Sequence, residues 1–447
     1  MKKLLFLLGL LLCAQVLLTA GPNQELEKAK ILPKIICQDN PENSYALFLP
    51  SAYSPEKEWP ILYALDPGAR GEVPVVLFRK AAETYGFILI GSNDSRNGPW
   101  QPSIQAMIAI WNDTNNRFSI DKKRIYVTGF SGGSRAASIF ARVIRHPVAG
   151  IIGCGAGLAT NLIKPERISP AYYLGIVGIV DFNFREMMLL RDQFEQHDIS
   201  HRFLVHPGGH EWPTEDICQR AIEWMEVIGI RNDIRAMDED LIDTVFEKER
   251  EIALSLESTG DLSHALSNYQ VLLETFSTWK DTGPIQDKIQ IIQKNKGYLR
   301  DAHAENRIQG LEIQHLRKFG QVLSQIEKNS PPIEYIESVI ANLGLEELKT
   351  KAAKRKAGKE SFMAIRLLHS LEIDAYSKGW DCFQKEELIK AIFFFAIAAK
   401  GGNEESPMKK SIYYNLACAY ARNQNNKKAL ENLKLAVEHG FDNIENM

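Results

Sequence analysis

The chain has 447 residues, 45% of them hydrophobic and 24% charged, with a formal net charge of −3 at pH 7. That length exceeds one ordinary core and calls for two or three domains, and the composition excludes general disorder. A slightly acidic chain with no basic stripe also excludes nucleic acid as its natural partner.

The first twenty residues read as an export signal. Lys2 and Lys3 give a positive start, and residues 4–20 are almost unbroken apolar sequence, interrupted by Gln15. Thr19-Ala20-Gly21 supplies small residues for cleavage, whereas Leu10-Leu11-Leu12 before Cys13 lacks the small residue that a lipid-attachment site requires. The expectation is therefore a signal at 1–20 and an exported protein, periplasmic or secreted. Membrane contact would come only through residues 4–20, were they to stay attached. The other cysteines, 37, 154, 218, 382 and 418, are odd in number and widely spaced, so they form neither a disulfide framework nor a paired metal motif.

From about residue 31 to 230, short apolar runs alternate with amphipathic stretches. Strands are expected at 45–50, 60–65, 87–90, 124–130, 149–154, 172–177 and 201–205, several of them near-continuous Ile, Leu and Val. Helices are expected between them at 73–85, 104–115, 133–145, 184–197 and 214–228. Such alternation specifies an α/β domain at 31–230, a mostly parallel sheet with helices on both faces.

Beyond Arg231 only helices are expected. Ile252, Ala253 and Leu256 precede Gly260-Asp261, and Ala265, Tyr269 and Leu272 follow, which makes a helix, a turn and a second helix. The pattern returns as Ala391, Phe395 and Ala398 closed by Gly401-Gly402, and again as Tyr413, Leu416, Ala417 and Tyr420 followed by Ala429, Leu433 and Ala436. Small residues at fixed offsets let paired helices approach closely. These segments resemble tetratricopeptide repeats, with one hairpin and charged helices in 231–360 and further repeats in 361–447. The resemblance implies a surface for a protein partner or a polymeric substrate. The basic cluster Lys351, Lys354, Arg355, Lys356 and Lys359 reads as a solvated helix face.

The strongest chemical signal is Gly129-Phe130-Ser131-Gly132-Gly133, placed between an expected strand and an expected helix. That is the context of a nucleophile elbow: a sharp turn lifts a serine hydroxyl above the sheet, and its neighbours must be small. The helix N-terminus favours a developing oxyanion. A serine needs a base, and His210 sits in the loop 207–213 just past the last strand. His206 lies at the strand end and reads as structural. His197, His201, His206 and Glu211 match no metal-ligand spacing. The acid should fall between serine and histidine in chain order; Asp181, after the strand 172–177, fits better than Asp192, Asp198 or Glu211. Gly132 follows the nucleophile and offers one oxyanion N–H. The loop Asp66-Pro67-Gly68-Ala69-Arg70 should offer the other, from Gly68 or next from Ala69, because Pro67 has none.

Taken together, residues 65–71, 91–100, 129–133, 181–183 and 208–213 resemble the secreted esterase branch of the α/β hydrolases. That branch includes polyhydroxyalkanoate depolymerases, feruloyl esterases and peptidases of similar build. The resemblance spans about residues 34–230. It implies hydrolysis of a carboxylic ester through an acyl-serine intermediate without a cofactor, with Asp66, Trp100 and Trp212 lining the substrate pocket. Many members carry His-Gly where this sequence has Asp66-Pro67. Two other readings stand beside it: a serine peptidase of the same fold, and an inactive hydrolase domain on a repeat scaffold.

Overall fold

The computed structural model describes residues 26–144, 146–159, 172–354, 358–403 and 405–442. The expected signal at 1–20 lies outside them, as do Arg355 and Lys356 of the basic cluster. Eight strands form one sheet in the order β1-β2-β4-β3-β5-β6-β7-β8. They are β1 (Ile31–Ile36), β2 (Ser44–Phe48), β3 (Trp59–Leu65), β4 (Ile88–Ser92), β5 (Ile120–Phe130), β6 (Gly150–Cys154), β7 (Tyr172–Gly178) and β8 (His201–His206). All seven expected strands are present, and the sheet is the mostly parallel α/β sheet that the sequence called for. The additional strand is β1. Its alternation is spoiled by Pro33 and Lys34, where the register against β2 shifts between Leu32 and Ile35. Proline has no N–H for a ladder, so it is confined to such edge strands and bulges.

The described residues form two compact units. The first draws on the described residues of 26–174 and on Asp198–Ser200 and Trp212–Ala236. In it β1 and β2 are antiparallel to their neighbours, whereas β3 pairs in parallel with both β4 and β5. Helix α1 (Glu72–Tyr85) links β3 to β4, and α2 (Trp100–Arg117) links β4 to β5. These connections run in opposite directions along the sheet, so right-handed crossovers place α1 and α2 on opposite faces. Helix α3 (Gly132–Val143) accordingly packs on α2, and α5 (Glu215–Arg231) packs on α1. The reversal of strand order at β3 is where the loops after β3, β4 and β5 converge and where a cleft opens in such sheets. Tyr63 and Trp111 each meet Phe140 edge to face, and their own rings are tilted by 46° to one another.

The second unit draws on Gly175–His197, His201–Glu211 and the described residues of 237–442. It holds the end of β7, β8, α4 (Phe184–Gln196) and an all-helical region. A buried ion pair joins β8 to α6 (Glu239–Ser258): Arg202 and Glu249, each 2% exposed, bond at 2.5 Å. Helix α6 turns through Gly260 into α7 (Leu262–Phe276), with the Asp261 carboxylate capping the second helix. Then come α8 (Gly283–Lys294) and the long α9 (Lys296–Lys328), which ends just before Pro331-Pro332. After α10 (Ile336–Ala341) and α11 (Leu345–Ala352), the chain closes with α12 (Lys359–Gln384), α13 (Leu388–Lys400), α14 (Lys409–Arg422) and α15 (Asn426–Glu438). Helices α12 and α13 pack as one hairpin, α14 and α15 as another. Ala391, Phe395, Ala398, Leu416, Ala417, Tyr420, Ala429 and Ala436 are buried along these seams. Lys351, Lys354 and Lys359 pair with Glu347, Glu360 and Glu305, which suits a solvated face. Among the described residues no helix is long and apolar enough to cross a membrane, and cysteines 37, 154, 218, 382 and 418 are free thiols.

One buried cation ties the last hairpins together. The Lys409 ammonium, 1% exposed, donates to Ala399 O and Gly401 O at 2.6 Å each and lies 3.8 Å from Glu372. Truncating one partner of a buried ionic cluster strands the others in a low-dielectric interior. Lys409→Ala should therefore lower the unfolding free energy by about 3 kcal/mol. Urea denaturation followed by far-ultraviolet circular dichroism measures this; an unchanged midpoint would show that water replaces the ammonium freely.

Candidate active site

Ser131 stands between the last residue of β5 and the first of α3, with φ 54° and ψ −123°. A non-glycine residue at positive φ is uncommon and carries about 1–3 kcal/mol of strain, so neighbouring contacts must impose it. They are visible here. Its N–H donates to Cys154 O at the end of β6 (2.8 Å), and Ser134 Oγ donates to Ala156 O (2.7 Å), fixing the start of α3 against the same loop. A Cβ on Gly129 would overlap Gly133 O, and one on Gly133 would overlap Leu65 O. Only hydrogen fits at 129 and 133, and the strand-to-helix reversal can then be sharp. The serine hydroxyl is thus presented at the N-terminus of α3, where the backbone N–H groups favour negative charge.

The turn after β3 differs from its expected role. Asp66 is fully buried, and its carboxylate accepts four bonds: from Gly68 N–H (2.8 Å), Arg70 Nε (2.8 Å), Arg70 Nη2 (2.9 Å) and Trp212 Nε1 (2.8 Å). Burial alone would raise its pKa; the bonds from Arg70, Trp212 and Gly68 outweigh it and hold the carboxyl below the usual range. Asp66 is therefore a brace and not a substrate contact. The N–H of Gly68 is directed into that carboxylate, and that of Ala69 donates to Asp66 O at 3.2 Å. Both expected oxyanion donors are engaged within their own turn. Trp212 is likewise a strut: its indole N–H reaches Asp66, and its ring lies 5.6 Å from that of Phe130, the residue before Ser131. Trp100, partly exposed, opens α2.

A residue that the sequence reading passed over takes a place beside the elbow. Gly68 and Arg96 form an isolated antiparallel bridge, and Asn97 N–H donates to Pro67 O at 2.8 Å. The loop after β4 is thereby fastened to the turn after β3. It brings the Asn97 amide so close to Gly132 that a Cβ there would overlap its Oδ1. Asn97 lies in the motif 91–100, but nothing in its spacing singles it out from Asn93.

The second unit holds the other two sequence candidates, and they meet. His210 Nδ1 lies 2.9 Å from Asp181 Oδ1 and 3.0 Å from Oδ2. Of the two ring nitrogens it is Nδ1 that faces the carboxylate, the orientation in which a ring N–H on that nitrogen donates to Asp181. The Asp181 side chain is fully buried and that of His210 is 20% exposed. Phe182 packs on the imidazole at 4.1 Å. The two loops are laced by Ile179 N–H to His206 O (2.8 Å) and Val180 N–H to Gly208 O (3.1 Å). That lacing needs a bare Gly178, whose Cβ would strike Gly208 O. His206, the rival histidine, is half-buried and pushed below the ordinary imidazole range chiefly by that burial. Asp192 is paired with Arg191 on α4.

The elbow sterics make a differential prediction. Gly133→Ala drives a methyl into the fixed Leu65 carbonyl and should cost about 3 kcal/mol of stability. Gly132→Ala meets only the Asn97 side chain, which can swing aside, and should cost about 1 kcal/mol. Chemical denaturation of the two variants decides; a larger loss at 132 would contradict the geometry.

No family model matches the chain, and no curated protein matches it. Solved structures do. The chain is similar to the fluorophosphonate-binding serine hydrolase F of Staphylococcus aureus, with 14% identity, covering 41% of this chain and 92% of that one at a TM-score of 0.34. It is also similar to esterase B of Lactobacillus rhamnosis, with 12% identity, 48% and 93% coverage and a TM-score of 0.36. A ferulic acid esterase is 12% identical, with 44% and 97% coverage and a TM-score of 0.36.

Proposed function

We propose that the chain is an exported serine hydrolase that cleaves carboxylic esters through an acyl-serine intermediate, without a cofactor. The observation that carries the reading is Ser131 held at φ 54° between β5 and the N-terminus of α3. Strain of that kind, enforced by contacts on every side, is a feature of nucleophile elbows. In this reading Ser131 Oγ attacks the acyl carbon and passes its proton to His210 Nε2. The imidazolium is held by the Asp181 carboxylate, which bonds Nδ1 at 2.9 Å. His210 then protonates the departing alcohol, and water repeats the sequence on the acyl-enzyme.

The oxyanion in both halves needs two donors. Gly132 N–H, the first of α3, supplies one. We assign the second to Asn97, whose side-chain amide lies against Gly132 and would present Nδ2 by turning about its Cβ–Cγ bond. This assignment replaces Gly68 and Ala69. Trp100, opening α2 beside this loop, is proposed as a wall for the substrate. The helical hairpins are proposed as tetratricopeptide-type repeats that bind a protein partner or a polymeric ester. Export through residues 1–20 gives the enzyme its setting.

Ser131→Ala should abolish hydrolysis of short acyl nitrophenyl esters and labelling by a fluorophosphonate, with a nearly unchanged melting temperature. Retained turnover would remove the assignment. Asn97→Ala should lower kcat by about 10²-fold with KM little altered, the usual effect of one lost oxyanion donor. Parallel rates on peptide anilides test the bond class, and faster anilide cleavage would turn the reading to a peptidase.

A further inference from the structure

Besides its bonds to the His206–Gly208 backbone, the loop that carries Asp181 is gripped by a buried arginine. Arg366, in α12, is 8% exposed, and its partner Glu312, in α9, is 5% exposed. Its Nε and Nη2 donate to the two Glu312 oxygens at 2.7 and 2.8 Å, a bidentate pair. The remaining nitrogen, Nη1, donates to Ile179 O at 2.8 Å, and the guanidinium lies 4.5 Å over the ring of Phe184. One side chain therefore holds the acid loop two residues before Asp181 and three residues after it. Inside that span Asp181 N–H donates to Gly178 O (3.1 Å), Phe184 N–H to Asp181 O (2.9 Å) and Asn183 N–H to the Asp181 carboxylate (2.8 Å). The loop has few ways to move without breaking one of these. His369, one turn further along α12, is lowered mainly by burial and also feels the charges of Asp181 and His210, which sets this face of the helix close to the pair.

We propose that Arg366, held by Glu312, is a positioning residue for the Asp181–His210 pair, so that α12 and α9 are part of the hydrolytic apparatus and not only a binding appendage. The proposal rests on reading Asp181 and His210 as acid and base. Its physical content is a tolerance: catalytic groups must be held within about 0.5 Å, and a displacement of about 1 Å lowers rates by up to about 10²-fold. A guanidinium suits the task because its rigid fork bonds the carboxylate with two nitrogens and leaves a third for the loop, which an ammonium cannot do.

The test uses the full chain. Arg366→Met with Glu312→Leu removes the pair without stranding either charge, and Arg366→Lys keeps the charge but not the fork. Two readouts are taken: ester kinetics per fluorophosphonate-titrated site, and the downfield Nδ1 proton resonance of His210, assigned by its loss in His210→Gln. The expected result is a kcat lowered about tenfold or more with KM nearly constant. The resonance should broaden or move upfield, and Arg366→Lys should lie between. A folded variant with wild-type kcat and an unmoved resonance would overturn the proposal, and should the double variant not fold, Arg366→Lys alone decides on the same terms. If the native chain cleaves no ester, the esterase reading fails, while the resonance still reports whether Arg366 holds the pair.

Discussion

Everything chemical in this chain depends on a steric constraint at one turn. At Gly129 and Gly133 the backbone of the elbow touches itself and the end of β3, leaving room only for hydrogen. Because those two positions are bare, β5 can reverse into α3 within a few residues, and Ser131 is forced to a positive φ. Because Ser131 is forced there, its hydroxyl and the first N–H groups of α3 are presented together. A bulkier residue at either glycine would relax the turn, and the proposed nucleophile would sink toward the sheet. Strain here is a means of placement, sustained by the bond to Cys154 O and by the packing of β3 and β6 on both sides of β5.

Beside the elbow, one buried carboxylate decides how the neighbouring loops are built. Asp66 is removed from water entirely, so each of its lone pairs needs a donor. It draws Gly68 N–H, the Arg70 fork and the Trp212 indole onto itself. The turn after β3 is thus closed from within and made rigid, at the expense of the N–H groups that such a turn would otherwise turn outward. Rigidity there is what lets Pro67 O anchor Asn97. The departure Asp66-Pro67 is therefore a coherent alternative: a charged brace in the turn, with a neighbouring side-chain amide in the proposed donor role.

The strands from β2 to β8 and the helices between them were legible because buried parallel strands are written as apolar runs and punctuated by turns. Strand β1 was not, since Pro33 breaks the alternation that would have marked it. The elbow was legible because its sterics demand glycine at set offsets, and chain order together with position just past an expected strand singled out Asp181 and His210, whose side chains meet at 2.9 Å. What the sequence hid is the direction in which a backbone N–H points. Gly68 has the residue type and the location of an oxyanion donor, yet its proton is drawn two residues back to a carboxylate that looked like a pocket residue. Asn97 and Arg366 were hidden for a related reason. Each works through one backbone carbonyl, Pro67 O or Ile179 O, and a carbonyl leaves no mark in the sequence.

That last point bears on how the helical region is understood. Repeat helices read from sequence invite a division of labour in which a catalytic domain is followed by a binding tail. The compact units do not follow that division: the end of β7, the acid loop, α4 and β8 cluster with the helices. Two buried ion pairs account for it. Arg202–Glu249 joins β8 to α6, and Arg366–Glu312 joins the acid loop to α12 and α9. Buried pairs are weak sources of net stability, because desolvation offsets much of their attraction, but they are intolerant of mispairing. Such pairs suit a joint whose geometry matters more than its strength, and a loop carrying the proposed partner of a general base is such a joint. In this architecture the helices are continuous with the proposed catalytic machinery, and anything that shifts α12 along its axis would be felt first at Ile179 and Phe184, on either side of Asp181.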